Sequence, residues 1–342
     1  MDASHGEGGG QILRTALSLA VTMGQPLRLD RIRERRPKPG LQPQHLTVVR
    51  ALAEVSRAQV EGDLLGSTGV TFVPQTLRGG HYRFDVEAIR GSAGSVSLIL
   101  QALLLPLSRA STASRLTVLG GTHVPWSPTA DYLAHVFLPA LNGIGLRTAV
   151  ELRRWGFYPA GGGEIEAVIE PGRTTGFVGA APSGDGRIIG LSAVSHLPRS
   201  IAERQRRQAL ERLEARGLTP EIAIEEDRTA RSPGTVVFLA VPGRAGFSAL
   251  GRPGLRAEMV AEQAIAPLLA YLASGTTVDT HLADQLVPFL ALADTPSDFT
   301  CPSLSSHLET VAWVVEQILP VSVKLDAGPP ARVRVAPVGA RP

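Results

Sequence analysis

The stretch Gly91-Ser92-Ala93-Gly94-Ser95-Val96-Ser97-Leu98-Ile99-Leu100-Gln101-Ala102-Leu103-Leu104-Leu105-Pro106-Leu107 sets a glycine- and serine-rich turn directly before a strongly apolar run. Such a pattern reads as a loop opening a buried helix, here Val96 to Leu107. A strand over Arg115 to Leu119, a loop from Gly120 to Thr129 and a helix near Asp131 to Leu141 complete the unit.

The same order recurs on both sides. Gly8, Gly9 and Gly10 precede a helix over Gln11 to Val21, a strand-like stretch around Leu27 to Ile32, a polar loop, a helix over Gln44 to Val55 and a β-like segment near Val60. A third copy starts near Ala283-Asp284-Gln285 and ends with a helix over Leu308 to Ile318 and a strand over Val321 to Leu325. The fold class expected is α/β (α+β): three repeated βαβαββ-like units, each a sheet backed by two helices, packed around a shared core. A different rhythm intervenes, with strand Ile188 to His196, helix Ser200 to Arg216, strands Glu221 to Glu226 and Thr235 to Val241, and helix Leu255 to Leu272. The flank Pro171 to Gly186 leads into it, so residues 179–275 form a smaller inserted α+β domain between core segments 1–178 and 276–338.

Composition bounds the function. The 342 residues, 44% of them hydrophobic and 19% charged, describe an ordinary globular chain. The run Leu98 to Leu107 is far short of the roughly 20 residues that cross a bilayer, and no basic-then-apolar leader opens the chain, so a cytoplasmic protein without membrane contact is expected. One cysteine, Cys301, excludes an internal disulfide framework. Only Lys38 and Lys324 are lysines among 34 basic residues. Arginine offers a planar fork to phosphate oxygens, which gives the cluster Arg31, Arg33, Arg35, Arg36 and Lys38 its interest beyond that of a solvated loop.

Three loops, Gly6 to Gly10, Gly91 to Ser95 and Ser303 to Ser306, open helices whose free amides suit anions. Glu7, inside the first, would oppose a phosphate unless a magnesium or manganese ion lay between them, or it is a helix-start acid stabilised by the dipole. On the helix that follows, Gln11, Arg14 and Ser18 share a polar face. Gln101, in an almost wholly apolar run, is either a base-recognising or a structural amide. His307 would occupy the first helical position, behind a capping box of Ser306 and Glu309. There the dipole disfavours imidazolium and leaves a ring nitrogen free to attack phosphorus. No Gly-Lys-Ser/Thr ends a glycine loop, no lysine stands in a Lys-x-Asp-Gly context, and His-x-x-x-His spacing is absent. A P-loop ATPase and a lysine-adenylating ligase are thereby disfavoured.

Taken together, Gly6-Glu7-Gly8-Gly9-Gly10-Gln11-Ile12-Leu13-Arg14, Arg33 to Gly40 with Gln44-His45-Leu46, Gly91 to Ser95, Phe157-Tyr158-Pro159-Ala160-Gly161-Gly162-Gly163, Leu282-Ala283-Asp284-Gln285-Leu286 and Ser306-His307-Leu308 resemble the RNA 3′-terminal phosphate cyclases. The resemblance runs from the start of the chain to about residue 325. It implies the three-unit core with an inserted domain, related in architecture to the enolpyruvyl transferases. It further implies that His307 accepts AMP from ATP. Gln101, His281, Leu282, Ala283, Asp284 and Gln285 then match an adenylate pocket, and Glu7 matches an acid for Mg2+ or Mn2+. Arg14, Arg33, Arg36, Lys38, Gln44 and His45 match polar residues around the phosphates or the RNA end. The partners implied are ATP and an RNA with a 3′-terminal phosphate, with a homodimer as one assembly open to the chain. The reaction implied closes a 2′,3′-cyclic phosphate through a histidine–AMP adduct and an RNA adenylate. Two rivals stand beside it. A catalytically silent, scaffold-like relative should lack the nucleophile, whereas His307 is present. An enolpyruvyl-transferase-like enzyme usually needs lysine for its anionic substrate, and this chain has two lysines in all.

Overall fold

A computed structural model describes residues 1–89, 91, 93–179 and 187–337. Ser92 of the second glycine loop, residues 180–186 of the flank into the inserted segment, and residue 338 at the end of the last core segment lie outside the described residues.

The first sheet is built by α1 (Gln11–Met23), β1 (Leu27–Leu29), α2 (Pro43–Ser56), β2 (Gln59–Glu61) and β3 (Val70–Val73), with strand order β1-β3-β2. In α1 the stripe Ile12, Leu13, Ala16 and Leu17 is fully buried, and each such leucine contributes roughly 1.5–3 kcal/mol. The helix stops where Gly24 turns left-handed at φ 65°, a conformation that costs a glycine little.

The second sheet comes from β4 (His81–Asp85), α3 (Val96–Ser108), β5 (Ser114–Gly120), α4 (Ala130–Tyr132), α5 (Leu138–Gly143), β6 (Arg147–Arg154) and β7 (Gly163–Glu170). Its order is β4-β5-β7-β6, and β4 runs parallel to β5. A single π-helical stretch, Leu133–Phe137, joins α4 to α5. Alternation along β7 turns Ile165, Ala167 and Ile169 inward, the period-2 pattern of a strand with one covered face.

Between residues 188 and 274 the chain forms β8 (Ile189–Ser195), α6 (Arg199–Glu214), β9 (Glu221–Asp227), β10 (Gly234–Val241), β11 (Ala245–Leu250) and α7 (Ala257–Ser274). These strands make a third sheet of order β11-β10-β8-β9. One face of it packs on α6 and α7 in a separate apolar cluster holding Val237, Leu239, Ala264 and Leu268. Its other face sends Val236, Phe238 and Ala240 into the main core beside Val136 and Phe137.

The chain ends with α8 (Thr280–Leu290), β12 (Ser297–Cys301), α9 (Ser306–Ile318), β13 (Ser322–Asp326) and β14 (Ala331–Ala336), with sheet order β12-β14-β13. Thus β1, β5 and β12 each neighbour the last strand of their own group. Each also has a parallel partner on its other side: Asp2 bridges Asp30 beside β1, β4 pairs β5, and Val178 bridges Asp298 in β12. Sequence reading put the start of the last group near Ala283-Asp284-Gln285. In the structure those residues sit inside α8, because Asp279 caps the helix by accepting from the N–H groups of His281 and Leu282 at 2.7 Å each. Helix α1 packs against α2, α3 and α9, and α8 packs against α9. That convergence of helix faces carries the site.

Candidate active site around His307

Sequence spacing suggested Ser306 as the cap of the last long helix. The structure corrects this by one residue: Ser305 is extended at φ −95°, ψ 154°, and its hydroxyl accepts the Leu308 N–H at 3.0 Å. His307 is therefore the second helical residue, still within the first turn where the dipole disfavours a positive ring.

Its ring reaches across to α1. Nδ1 of His307 is hydrogen-bonded to Oε1 of Gln11, and Oε1 of Glu7 lies 3.8 Å from the same nitrogen. A glutamine oxygen only accepts, so Nδ1 carries the hydrogen and Nε2 keeps its lone pair. The amide is oriented from its other end, where Nε2 of Gln11 donates to Oδ1 of Asp284 at 3.4 Å. Burial, aided by the charges of Arg14, His281 and Arg36, holds the His307 pKa below its ordinary 6.5, with Glu7 pulling the other way. The side chain nevertheless remains 43% exposed, open to a ligand.

His307 lines a cavity of about 820 Å³, within the range of small-molecule sites. Of the residues singled out in the sequence, Arg14, Gln101, His281, Asp284 and Gln285 line it too. Nε2 of Gln101 donates to Oε1 of Gln285 at 2.8 Å, joining α3 to α8. Burial and neighbouring Asp279 push the Asp284 carboxyl well above the usual carboxylate range. Desolvation lowers Arg14 to about 10. Glu7 and Asp284 favour that charge from a distance.

The remaining candidates lie off the cavity wall. Leu282 and Ala283 are buried in the main core, off the cavity wall. Glu7 is ion-paired with Arg36, which also donates to the Glu7 carbonyl at 3.1 Å. Arg33 folds its own loop by donating to the carbonyls of Lys38 and Gly40, and Lys38 itself is exposed. Oε1 of Gln44 accepts the Ser95 N–H at 2.8 Å, tying α2 to the second glycine loop. His45 is buried behind Gly10, where desolvation and the charges of Arg14 and Arg33 lower its pKa to about 3. A methyl group on Gly10 would come within 2.3 Å of the His45 Nε2, so the turn needs glycine for close approach. As a metal acid, Glu7 stands alone. Among the described residues no group of three or more His, Cys, Asp or Glu is placed to hold an ion. One carboxylate already facing an arginine suits a cation that arrives on phosphate oxygens, not a resident one.

Sequence reasoning missed the wall opposite His307. The loop residues Trp126 and Pro128, then Tyr132, and Ser248 and Tyr271 from the 188–274 segment all line the cavity. The cap Asp279 joins this wall to α8, because its Oδ2 accepts the Gly246 N–H at 3.0 Å and the Tyr132 hydroxyl at 3.3 Å. An Asp-Thr pair ahead of an apolar run was available as a helix-start signal for it.

Fold and site together define an α/β protein that presents a histidine, its tautomer set by a glutamine from another helix, at a cavity of ligand size. The chain belongs to the RNA 3′-terminal phosphate cyclase family, whose model matches residues 5–325. It is 42% identical over 351 residues to an RNA 3′-terminal phosphate cyclase of Methanopyrus kandleri, covering 99% of both chains. A second relative of that description, from Methanosarcina barkeri, is 42% identical over 326 residues, covering 95% of this chain and 96% of the relative. Among solved structures, an EPSP synthase of Acinetobacter baumannii aligns with 99% of this chain and 64% of its own at 14% identity, with a TM-score of 0.35. Among the described residues no helix is long and apolar enough to cross a membrane.

Proposed function

We propose that this chain converts an RNA 3′-phosphate to a 2′,3′-cyclic phosphate at the expense of ATP, with His307 as the carrier of AMP. The observation that carries the reading is the Gln11 to His307 hydrogen bond at the cavity, which leaves Nε2 as the free nucleophile.

In the first step Nε2 of His307 attacks the α-phosphorus of ATP, a P–N bond forms and pyrophosphate leaves. Arg14 faces the cavity, and Arg36 lies beside it on Glu7; both offset charge on the transferring group. A divalent cation entering with the triphosphate would take Glu7 as its protein ligand and neutralise phosphate charge. Gln101, His281, Asp284 and Gln285, polar groups on the cavity wall, hold the adenosine in this reading. In the second step an oxygen of the RNA 3′-phosphate attacks the same phosphorus, the P–N bond breaks and the imidazole is regenerated. In the third the adjacent 2′-hydroxyl attacks the 3′-phosphorus, gives up its proton and expels AMP. Nucleophile and electrophile share one ribose, so little entropy is lost in that closure. The requirement for a 2′-hydroxyl selects RNA over DNA.

The test is incubation with α-labelled ATP and magnesium. An acid-labile, base-stable protein–AMP adduct is expected, as is conversion of a 3′-phosphorylated RNA, but not a 3′-hydroxyl RNA, to a phosphatase-resistant end. Retention of the label by His307→Ala would rule the assignment out.

A further inference from the structure

We propose that Trp126 is a platform on which a nucleobase at the RNA 3′ end stacks, steering the terminal phosphate toward His307. The inference deepens the function proposed above and rests on it.

Scattered exposed apolar side chains are ordinary. Trp126 is set apart by three observations. It is 97% exposed, the most exposed large apolar side chain among the described residues, yet it lines the same cavity as His307. An indole in that position is at the rim, with a face turned to solvent.

The backbone beneath it is held hard. Trp126 has φ 60°, a left-handed conformation that is costly for a residue with a large side chain. The loop that holds it there is pinned from below. His123 is wholly buried, with Nε2 2.8 Å from Oδ2 of Asp131, Nδ1 2.8 Å from the Thr122 hydroxyl, and its ring stacked on Trp155 at 4.4 Å. On the far side the Ser127 hydroxyl donates to the Val124 carbonyl at 3.2 Å, and the Thr129 hydroxyl meets that of Ser248 at 3.0 Å. The indole is left without a burial partner of its own. A fixed aromatic face that covers nothing of its own protein is pre-organised for a flat ligand.

The neighbouring loop adds the chemistry of a nucleic acid strand. His123 bridges Phe157 in parallel, so the two chains leave that pair in the same direction and Tyr158, 63% exposed, follows directly. Arg154 donates to the carbonyl of Gly162 in this loop, and Arg231, 57% exposed, is paired with Glu87, which accepts the Gly162 N–H. Exposed aromatic faces beside arginines are the composition of single-strand tracks, where bases stack and guanidinium groups follow the phosphates. The polar groups suited to adenosine lie inside the cavity, so RNA, not the base of ATP, is the ligand for the rim.

Tryptophan fluorescence with a short single-stranded RNA bearing a 3′-phosphate tests this, against the same RNA with an abasic terminal nucleotide. Trp155 is buried and Trp313 is stacked on His5 at 3.9 Å, so both serve as background. The RNA should quench the wild-type signal but not that of Trp126→Phe, and Trp126→Ala should bind it about 10-fold more weakly. Because Trp126 lines the same cavity as His307, adduct formation from labelled ATP without RNA is measured beside it, and in Trp126→Ala it should fall by much less than the RNA affinity. Equal RNA affinity in Trp126→Ala, equal binding of the abasic RNA, or a parallel loss of adduct formation would each overturn the platform. If the wild type forms no adduct while RNA binding still depends on Trp126, the platform stands and the proposed reaction fails.

Discussion

Gln11 on α1 and His307 on α9 stand 296 residues apart in the chain, and the glutamine oxygen holds the Nδ1 hydrogen of the imidazole. The amide is itself aligned by Asp284, so three elements fix one tautomer. Replacing Gln11 with Ala frees the ring to rotate and to place its hydrogen on either nitrogen. Single-turnover formation of the AMP adduct should fall by about 10²-fold, while thermal denaturation of the variant stays close to wild type. An unchanged rate would separate the ring's orientation from its reactivity.

Arg14 is a desolvated cation, held down to about 10, on the wall of the cavity. Such a charge weakens the unliganded fold and is offset once an anion arrives. Arg14→Met should therefore leave the melting temperature of the free protein equal or higher. It should also abolish most of the rise in melting temperature that ATP produces by binding the native state. Differential scanning fluorimetry with and without ATP separates the two effects.

His45 gives a stability profile with a defined sign. Its folded value is about 3 against an ordinary 6.5, so between those limits the unfolded ring binds a proton that the folded ring refuses. Stability must then fall as the pH drops from 6.5 toward 3, by at most about 1.4 kcal/mol per unit from this group. Urea denaturation across that window should show a shallower slope in His45→Gln.

Gly10→Ala should act through the same ring. The added methyl would sit 2.3 Å from the His45 Nε2 and 3.0 Å from an Arg14 nitrogen. Forcing either aside costs about 1–3 kcal/mol, visible as a lower midpoint in thermal denaturation. A Gly10→Ala, His45→Ala double variant should recover part of the loss, as expected of residues in contact.

Much of this architecture was readable in the residues. Gly10 before Gln11 to Val21 and Ser95 before Val96 to Leu107 carry turn, cap and apolar stripe together, and both helices stand within two residues of the expected bounds. The short strands were harder. β2 falls on the expected β-like segment near Val60, whereas β4 was not anticipated, because the alternation of Tyr82 and Phe84 with exposed His81, Arg83 and Asp85 lasts only five residues. α8 was obscured by Pro288 within it and by the absence of a glycine turn ahead of it. At the site, Gln101 and His307 were legible from local signals, an amide in an apolar run and a ring at a helix start, whereas His281, Asp284 and Gln285 were named only through the family resemblance. Trp126, Tyr132 and Ser248 gave no such signal. Their place on the cavity wall follows from the packing of the 188–274 sheet on the π-helical stretch, a long-range contact that no spacing encodes.

The chain enters and leaves that sheet through a narrow doorway. Val178 pairs with Asp298, and the Thr277 hydroxyl donates to the Gly179 carbonyl at 3.1 Å. Ends so close behave like the two posts of a gate, and the segment hung between them starts and finishes beside the terminal sheet. A chain shortened from post to post would lose Ser248 and Tyr271 from the cavity wall and bare the core side chains Val136 and Phe137 to water.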